Sequence, residues 1–214
     1  MALPANQKIF HITPIDNLQK IVDGKLWSDA QRIARGLDCT VVGMNRIKTR
    51  RLEEIEVDCH PDTHVGDYVP FYFCPRSVML YILHKGNDPD LRYRGGQRPI
   101  VHLQADLAAV LEWVEESEVE WAFSRGNAGA YYTTFSDDTE ELAQLNWARI
   151  AANDWRDPDV KEAKQSEFLV YESFPWTCIE LIGVYDSEMR DAVAKLIAAA
   201  EHQPEIAVRR DWYY

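Results

Sequence analysis

The alternation of apolar and polar side chains divides the chain into short pieces of two kinds. Residues 8–12 read as a strand, and Thr13-Pro14-Ile15-Asp16 then supplies an N-cap, a proline at the first helical position and an acid at the third. The helix so predicted carries Ile15, Leu18, Ile21 and Val22 on one face and stops at Gly24, a residue suited to a left-handed cap. Between 27 and 67 no period holds, which predicts a long functional loop with at most short elements. Residues 68–73 are aromatic and β-prone, Ser77 caps a helix running to 84, and a polar, glycine-containing loop covers 86–97. A strand over 99–104, a helix over 107–115 and a strand over 118–123 follow. After a flexible stretch to 138, Thr139 caps a helix to 150; Glu167–Tyr171 and 179–185 are strands, and 186–201 is an alanine-rich helix. Strands and helices mixed in short pieces without a βαβ repeat indicate an α+β fold, with 1–214 as a single domain.

Composition narrows the classes. With 46% apolar residues the chain can bury a sizeable core, but 35 acidic against 23 basic residues give a net charge of −12, which as a whole repels nucleic acid. Contact with nucleic acid would need local patches, and two exist. Arg46, Lys48, Arg50 and Arg51 form a basic cluster, and Arg92, Arg94 and Arg98 surround Tyr93. Cys39, Cys59, Cys74 and Cys178 are widely spaced, and the opening MALPANQK has no basic and then apolar leader, which fits reduced thiols in the cytoplasm. No apolar run approaches the roughly 20 residues that span a bilayer. Phosphate-loop, dinucleotide, zinc-protease and serine-hydrolase signatures are absent. Cys59, His60 and His64, with Cys39, match no standard zinc module, and no metal is expected.

Five segments in order carry more information than any of these patterns. They are IFHITPIDNLQKIVDGKL near the start, the basic segment ending Arg50-Arg51, YVPFYFCPRSVMLY over 68–81, Asn127-Ala128, and KQSEFLVYESFPW over 164–176. Together they resemble the DarT family of DNA ADP-ribosyltransferase toxins. The resemblance implies an ADP-ribosyltransferase-like split β-sheet cleft with surrounding helices, NAD⁺ as co-substrate, and transfer of ADP-ribose to a base in DNA, thymine being favoured over guanine. It implies Glu167 as the catalytic carboxylate and Arg51 as a catalytic and cofactor-binding cation whose guanidinium can grip a pyrophosphate in two-pronged fashion, with Arg50 as the adjacent alternative. His11 and Thr13 become NAD⁺ contacts, with Asn17 on the next helix; for His11 a satisfied core histidine is the other reading. Alternation along 68–73 sends Phe71 and Tyr72 to opposite faces, so Tyr72 either stacks near the nicotinamide or is a plain core aromatic. Met79 is a further cleft candidate.

For DNA, cations interleaved with aromatics suit a single strand, and a base in a duplex hides its reactive edge. The candidate contacts are Arg46, Lys48, Arg50, Arg76, Arg92, Arg94, Tyr132 and Trp147, with Tyr131 beside them; ordinary surface loops are the plainer alternative. The family resemblance also implies an antitoxin partner whose macrodomain removes ADP-ribose. An RNA or protein acceptor, or a catalytically silent NAD-binding module, are the competing functions.

Overall fold

The computed structural model describes residues 3–214. Strand β1 (Lys8–Pro14) runs two residues further than its apolar pattern suggests, because its ladder with β4 continues through Thr13 opposite Val101 and Pro14 opposite Ile100. Thr13 is therefore a sheet residue and not a cap, and a tight turn over Ile15–Asn17 with no side-chain cap leads into α1 (Leu18–Val22). Proline is tolerated at that end, where its missing N–H costs the ladder little. The helix closes at Asp23 with ordinary backbone angles, so Gly24 makes no left-handed cap.

The region from 27 to 67 is more ordered than its pattern predicts. After β2 (Leu26–Trp27), Ser28 accepts a bond from the Gln31 N–H and caps α2 (Asp29–Ala34). The basic cluster then forms the nine-residue α3 (Asn45–Glu53). Neither helix buries a residue, so neither carries the apolar stripe by which helices are read from sequence. Strand β3 (Tyr68–Tyr72), α4 (Val78–Lys85), β4 (Ile100–Asp106), α5 (Leu107–Glu116) and β5 (Trp121–Ser124) lie close to expectation. Past the short β6 (Phe135–Ser136), the helix expected over 139–150 breaks in two. Asp138 caps α6 (Thr139–Leu142), and Asn146 accepts from the Arg149 N–H to start α7 (Trp147–Ala151). Helix α8 (Pro158–Ala163), begun by Asp157 with proline in its first turn, precedes β7 (Glu167–Tyr171). Strand β8 (Ser173–Phe174), β9 (Leu181–Val184), α9 (Ser187–Ile197) and β10 (Glu205–Val208) complete the chain.

Eight strands form one sheet in the order β10-β9-β4-β1-β3-β7-β5-β6, and β2 pairs with β8 separately. The join in the middle is narrow. Strand β1 faces β4 from Lys8 to Pro14 and β3 faces β7 from Tyr68 to Tyr72, yet β1 and β3 share only the pair Phe10 and Tyr72. Beyond it the halves part, which is the split sheet that the family resemblance implies. The main core lies on one face, where Leu18 and Ile21 of α1, Val110 and Val114 of α5 and Val193 and Ile197 of α9 pack on Ile9, Phe71, Leu103 and Phe168. On the other face Leu80 and Leu83 of α4 join Phe10, Ile12, Ile100, Trp212 and Tyr213.

His102 lies buried in β4 between the rings of Trp212 and Tyr213, with Nε2 3.0 Å from the Pro75 carbonyl oxygen. Burial lowers its pKa to about 4, against a weaker opposing effect of the Pro75 bond. As pH falls below about 6.5 the unfolded chain binds the proton first, so stability is present above that value and lost toward pH 4. The loss should reach about 3 kcal/mol. Urea unfolding at pH 7 and pH 4.5 should show it, and a His102→Asn variant with an unchanged pH slope would refute the assignment.

Candidate active site

The split opens into a cleft of about 730 Å³, within the range of small-molecule sites. At its inner end Glu167, first residue of β7, is 3% exposed. Its two carboxylate oxygens each accept from one terminal nitrogen of Arg51 at 2.9 Å, a two-pronged bond linking α3 to the sheet. Burial by itself would lower the Arg51 pKa, but the charge of Glu167 and its hydrogen bonds outweigh this and hold it above its usual value. The guanidinium fork is thus spent on the carboxylate. The expected two-pronged grip on a pyrophosphate is not available while that pair is made.

Two features hold the carboxylate in place. The Glu167 N–H donates to the buried Ser124 Oγ at 3.0 Å, and that hydroxyl donates in turn to the Gly126 carbonyl at 2.7 Å. Ser124 thereby ties the carboxylate strand to the turn that brings Asn127 to the cleft. No sequence pattern marks this serine. Across the ladder Tyr72 is Glu167's direct partner, so the two side chains share a face, while Phe71 goes to the core. Burial, then the nearby Glu167 charge, pushes the Tyr72 phenol well above its ordinary pKa, so it stays neutral.

The β1 residues meet the same cleft. His11 Nδ1 is 2.8 Å from the Pro70 carbonyl oxygen across the split, and burial lowers its pKa against that bond. A neutral ring must donate from Nδ1 there, which leaves Nε2 as an acceptor. Asn17 donates to Thr13 Oγ1 at 3.0 Å, leaving the threonine's own proton free to be donated. The remaining Asn17 groups are also committed, to the Thr40 carbonyl at 2.9 Å and the Thr40 N–H at 2.8 Å. Its structural role is therefore to fasten the segment around Thr40, which lines the cleft, rather than to offer a free amide. Met79 and Gln165 also line the walls.

The residues singled out for DNA do not form one patch. Lys48 belongs to the cleft wall, where Asp29 holds it at 2.7 and 2.8 Å. Burial would raise the Asp29 pKa, but the Lys48 charge and bonds overrule it and lower it; this acid was not foreseen. Arg46 is exposed and 3.5 Å from Asp90. Arg50 lies 5.1 Å from the Tyr131 ring centroid, and Tyr131 and Tyr132 are 68% and 77% exposed. Arg76 lies 4.4 Å from the Tyr214 ring centroid. Arg94 donates to the Gly86 carbonyl at 3.2 Å and Arg92 is exposed. Trp147 is half-buried against the main core, edge-on to Phe73 at 5.2 Å with its indole N–H on the Ala143 carbonyl. His60 Nε2 is 2.8 Å from the Trp121 carbonyl oxygen, and among the described residues no group of three or more metal-ligating side chains converges.

The family model described as "ssDNA thymidine ADP-ribosyltransferase, DarT" matches residues 10–214. The chain belongs to the DarT family of DNA ADP-ribosyltransferases. A DNA ADP-ribosyl transferase of Thermus sp. (strain 2.9) is 38% identical over 99% of this chain and 98% of its own. Solved structures of Thermus sp. 2.9 DarT superpose along the whole chain. The complex with ADP-ribosylated ssDNA has TM-score 0.87 at 37% identity, covering 100% of this chain and 99% of that one. The complex with NAD⁺ has TM-score 0.82 at 36% identity, with both chains fully covered at 100%. A more distant relative, 25% identical, is a DNA ADP-ribosyl transferase–DNA ADP-ribosyl glycohydrolase fusion protein of Thermosipho africanus; this chain covers 46% of it. As a DarT family member the chain is an ADP-ribosyltransferase.

Proposed function

We propose that residues 1–214 act as one catalytic domain that transfers ADP-ribose from NAD⁺ to a thymine, in preference to guanine, in single-stranded DNA. The observation that carries this reading is the Arg51–Glu167 pair at the inner end of the split. In the transfer the bond from the nicotinamide ribose C1″ to nicotinamide breaks, and its electron pair leaves with nicotinamide. A new bond forms from C1″ to the base's ring nitrogen. The proton of that nitrogen passes to the Glu167 carboxylate, which the two Arg51 N–H groups hold and aim. This is glycosyl transfer, and the phosphates are untouched. His11 Nε2 accepts from a ribose hydroxyl and Thr13 donates to NAD⁺, while neutral Tyr72 offers the nicotinamide a ring face. Asn17 serves NAD⁺ through the Thr40 segment, with Met79 beside it as a wall.

Several findings support the acceptor. The matching family model is described by ssDNA thymidine, and a relative was solved with ADP-ribosylated ssDNA. Thymine's one ring N–H is engaged in pairing within a duplex, so a single strand offers it without unpairing. Exposed Arg92, Tyr131 and Tyr132, with Arg46, Arg50, Arg76 and Arg94, supply the local contacts that a net-negative protein needs. The protein acts in the cytoplasm as the toxin of a toxin–antitoxin pair, its antitoxin an ADP-ribose-removing macrodomain protein. The fusion of transferase and glycohydrolase in Thermosipho africanus supports that pairing. Among the described residues no helix is long and apolar enough to cross a membrane.

Labelled NAD⁺ offered with single-stranded and duplex oligonucleotides of each base, RNA and protein tests the proposal. Mass spectrometry of the digests should place the label on thymine in single strands. Label confined to RNA or protein, or equal on duplex and single strand, would overturn it.

A further inference from the structure

Tyr72, Met79 and Ile82 line the cleft and also pack against an apolar cluster that Tyr214 joins from outside. Around the Tyr214 ring gather four more planar groups. The Arg76 guanidinium lies 4.4 Å from the ring centroid, Tyr81 meets it edge-on at 5.1 Å, His84 stacks at 6.0 Å and Trp155 tilts at 6.1 Å. Tyr214 itself is fastened at both ends. Tyr214's hydroxyl lies 3.2 Å from the carbonyl oxygens of both Arg76 and Ser77, and the Gln97 amide takes its backbone N–H at 3.0 Å.

This cluster has unused donors next to the exposed ring of Tyr81. Among the described residues Arg76 makes no ion pair, and its Nε and the Trp155 Nε1 are buried without a hydrogen-bond partner. Tyr81 is 44% exposed on α4. The nearest acid in sequence to Trp155, Asp154, is taken by Arg156 at 3.0 Å. Lys164, buried, places its ammonium 5.0 Å from the Trp155 ring centroid. The cluster is joined to the cleft wall through Tyr72, the cross-strand partner of Glu167, which packs against the same apolar cluster as Tyr214.

Aromatic faces beside an unpaired guanidinium call for a flat ligand that carries negative charge. We propose that the cluster around Tyr214 receives the nucleotide adjoining the modified base, its base stacked on Tyr81 and Trp155 and its phosphate held by Arg76. This rests on single-stranded DNA being the acceptor. It assigns Tyr81, Trp155 and Tyr214 to strand binding.

Binding of a fluorescent thymidine-containing single-stranded oligonucleotide is measured for wild type, Tyr81→Ala, Trp155→Ala, Arg76→Gln and, as a charge-matched control on α9, Arg190→Ala. Each aromatic truncation should raise the dissociation constant about fivefold to a hundredfold. Arg76→Gln should flatten the slope of log affinity against log salt by about 0.7. Arg190→Ala should match wild type. Tyr81 faces solvent, so its truncation spares the core, and a melting curve checks Trp155→Ala. Wild type that transfers to the oligonucleotide while the three variants bind like Arg190→Ala overturns this assignment. Wild type that transfers to no oligonucleotide overturns the acceptor reading beneath it.

Discussion

Glu167→Gln is expected to lower ADP-ribose transfer by about three orders of magnitude while the protein stays folded and binds NAD⁺. The amide matches the carboxylate in shape but has one acceptor oxygen where Arg51 offers two N–H groups at 2.9 Å. It carries no charge to oppose positive charge developing at the ribose, and it cannot take the proton of the acceptor base. The backbone anchor from the Glu167 N–H to Ser124 is unaffected, so the strand keeps its place. Folding should suffer little, because Asp29 also acts on Arg51 electrostatically and the cleft admits water. Single-turnover transfer, calorimetry with NAD⁺ and a melting curve measured together separate these effects. A variant with more than about a tenth of wild-type transfer would remove Glu167 from the chemistry.

Arg51→Ala should lose about a hundredfold or more, and Arg51→Lys about tenfold to a hundredfold, because an ammonium cannot reproduce the planar fork. Lys48, three residues earlier on α3 and also lining the cleft, is held by Asp29 at 2.7 Å and cannot move over without giving up that pair. Removing Arg51 also leaves a 3% exposed carboxylate without its ion pair. Breaking a fully buried pair costs about 3–5 kcal/mol, and access to water reduces that cost here. The pair works as a unit, so Glu167→Gln combined with Arg51→Ala should fall little below the worse single variant. Losses that multiply in the double variant would mean that the two side chains act independently.

The sites differ in how far they could be read from residues. The place of Glu167 at the head of a strand was legible because KQSEFLV sets an acid before an apolar run, and the strand begins where expected. Tyr72 and Phe71 separated as the two-residue period of a strand requires. The basic cluster was legible as charge but not as a helix, since α3 buries no residue and so has no apolar stripe. The break in the helix at Asn146, which the sequence pattern did not mark, leaves the Trp147 ring half-buried and edge-on to Phe73.

By itself the sequence determined the element types with strong periods and the family through five ordered segments. These depend on local propensity and on residue order, which are properties of the chain in one dimension. Only the tertiary structure decided what Arg51 is bonded to, that Asn17 fastens Thr40, that Ser124 anchors Glu167, and that Arg76 meets Tyr214. Each of those contacts joins residues separated in sequence by 116, 23, 43 and 138 positions respectively. No local pattern encodes them. The Arg51 and Asn17 contacts belong to the cleft that opens where β1 and β3, touching at the one pair Phe10 and Tyr72, diverge; the other two are made where the chain packs around it.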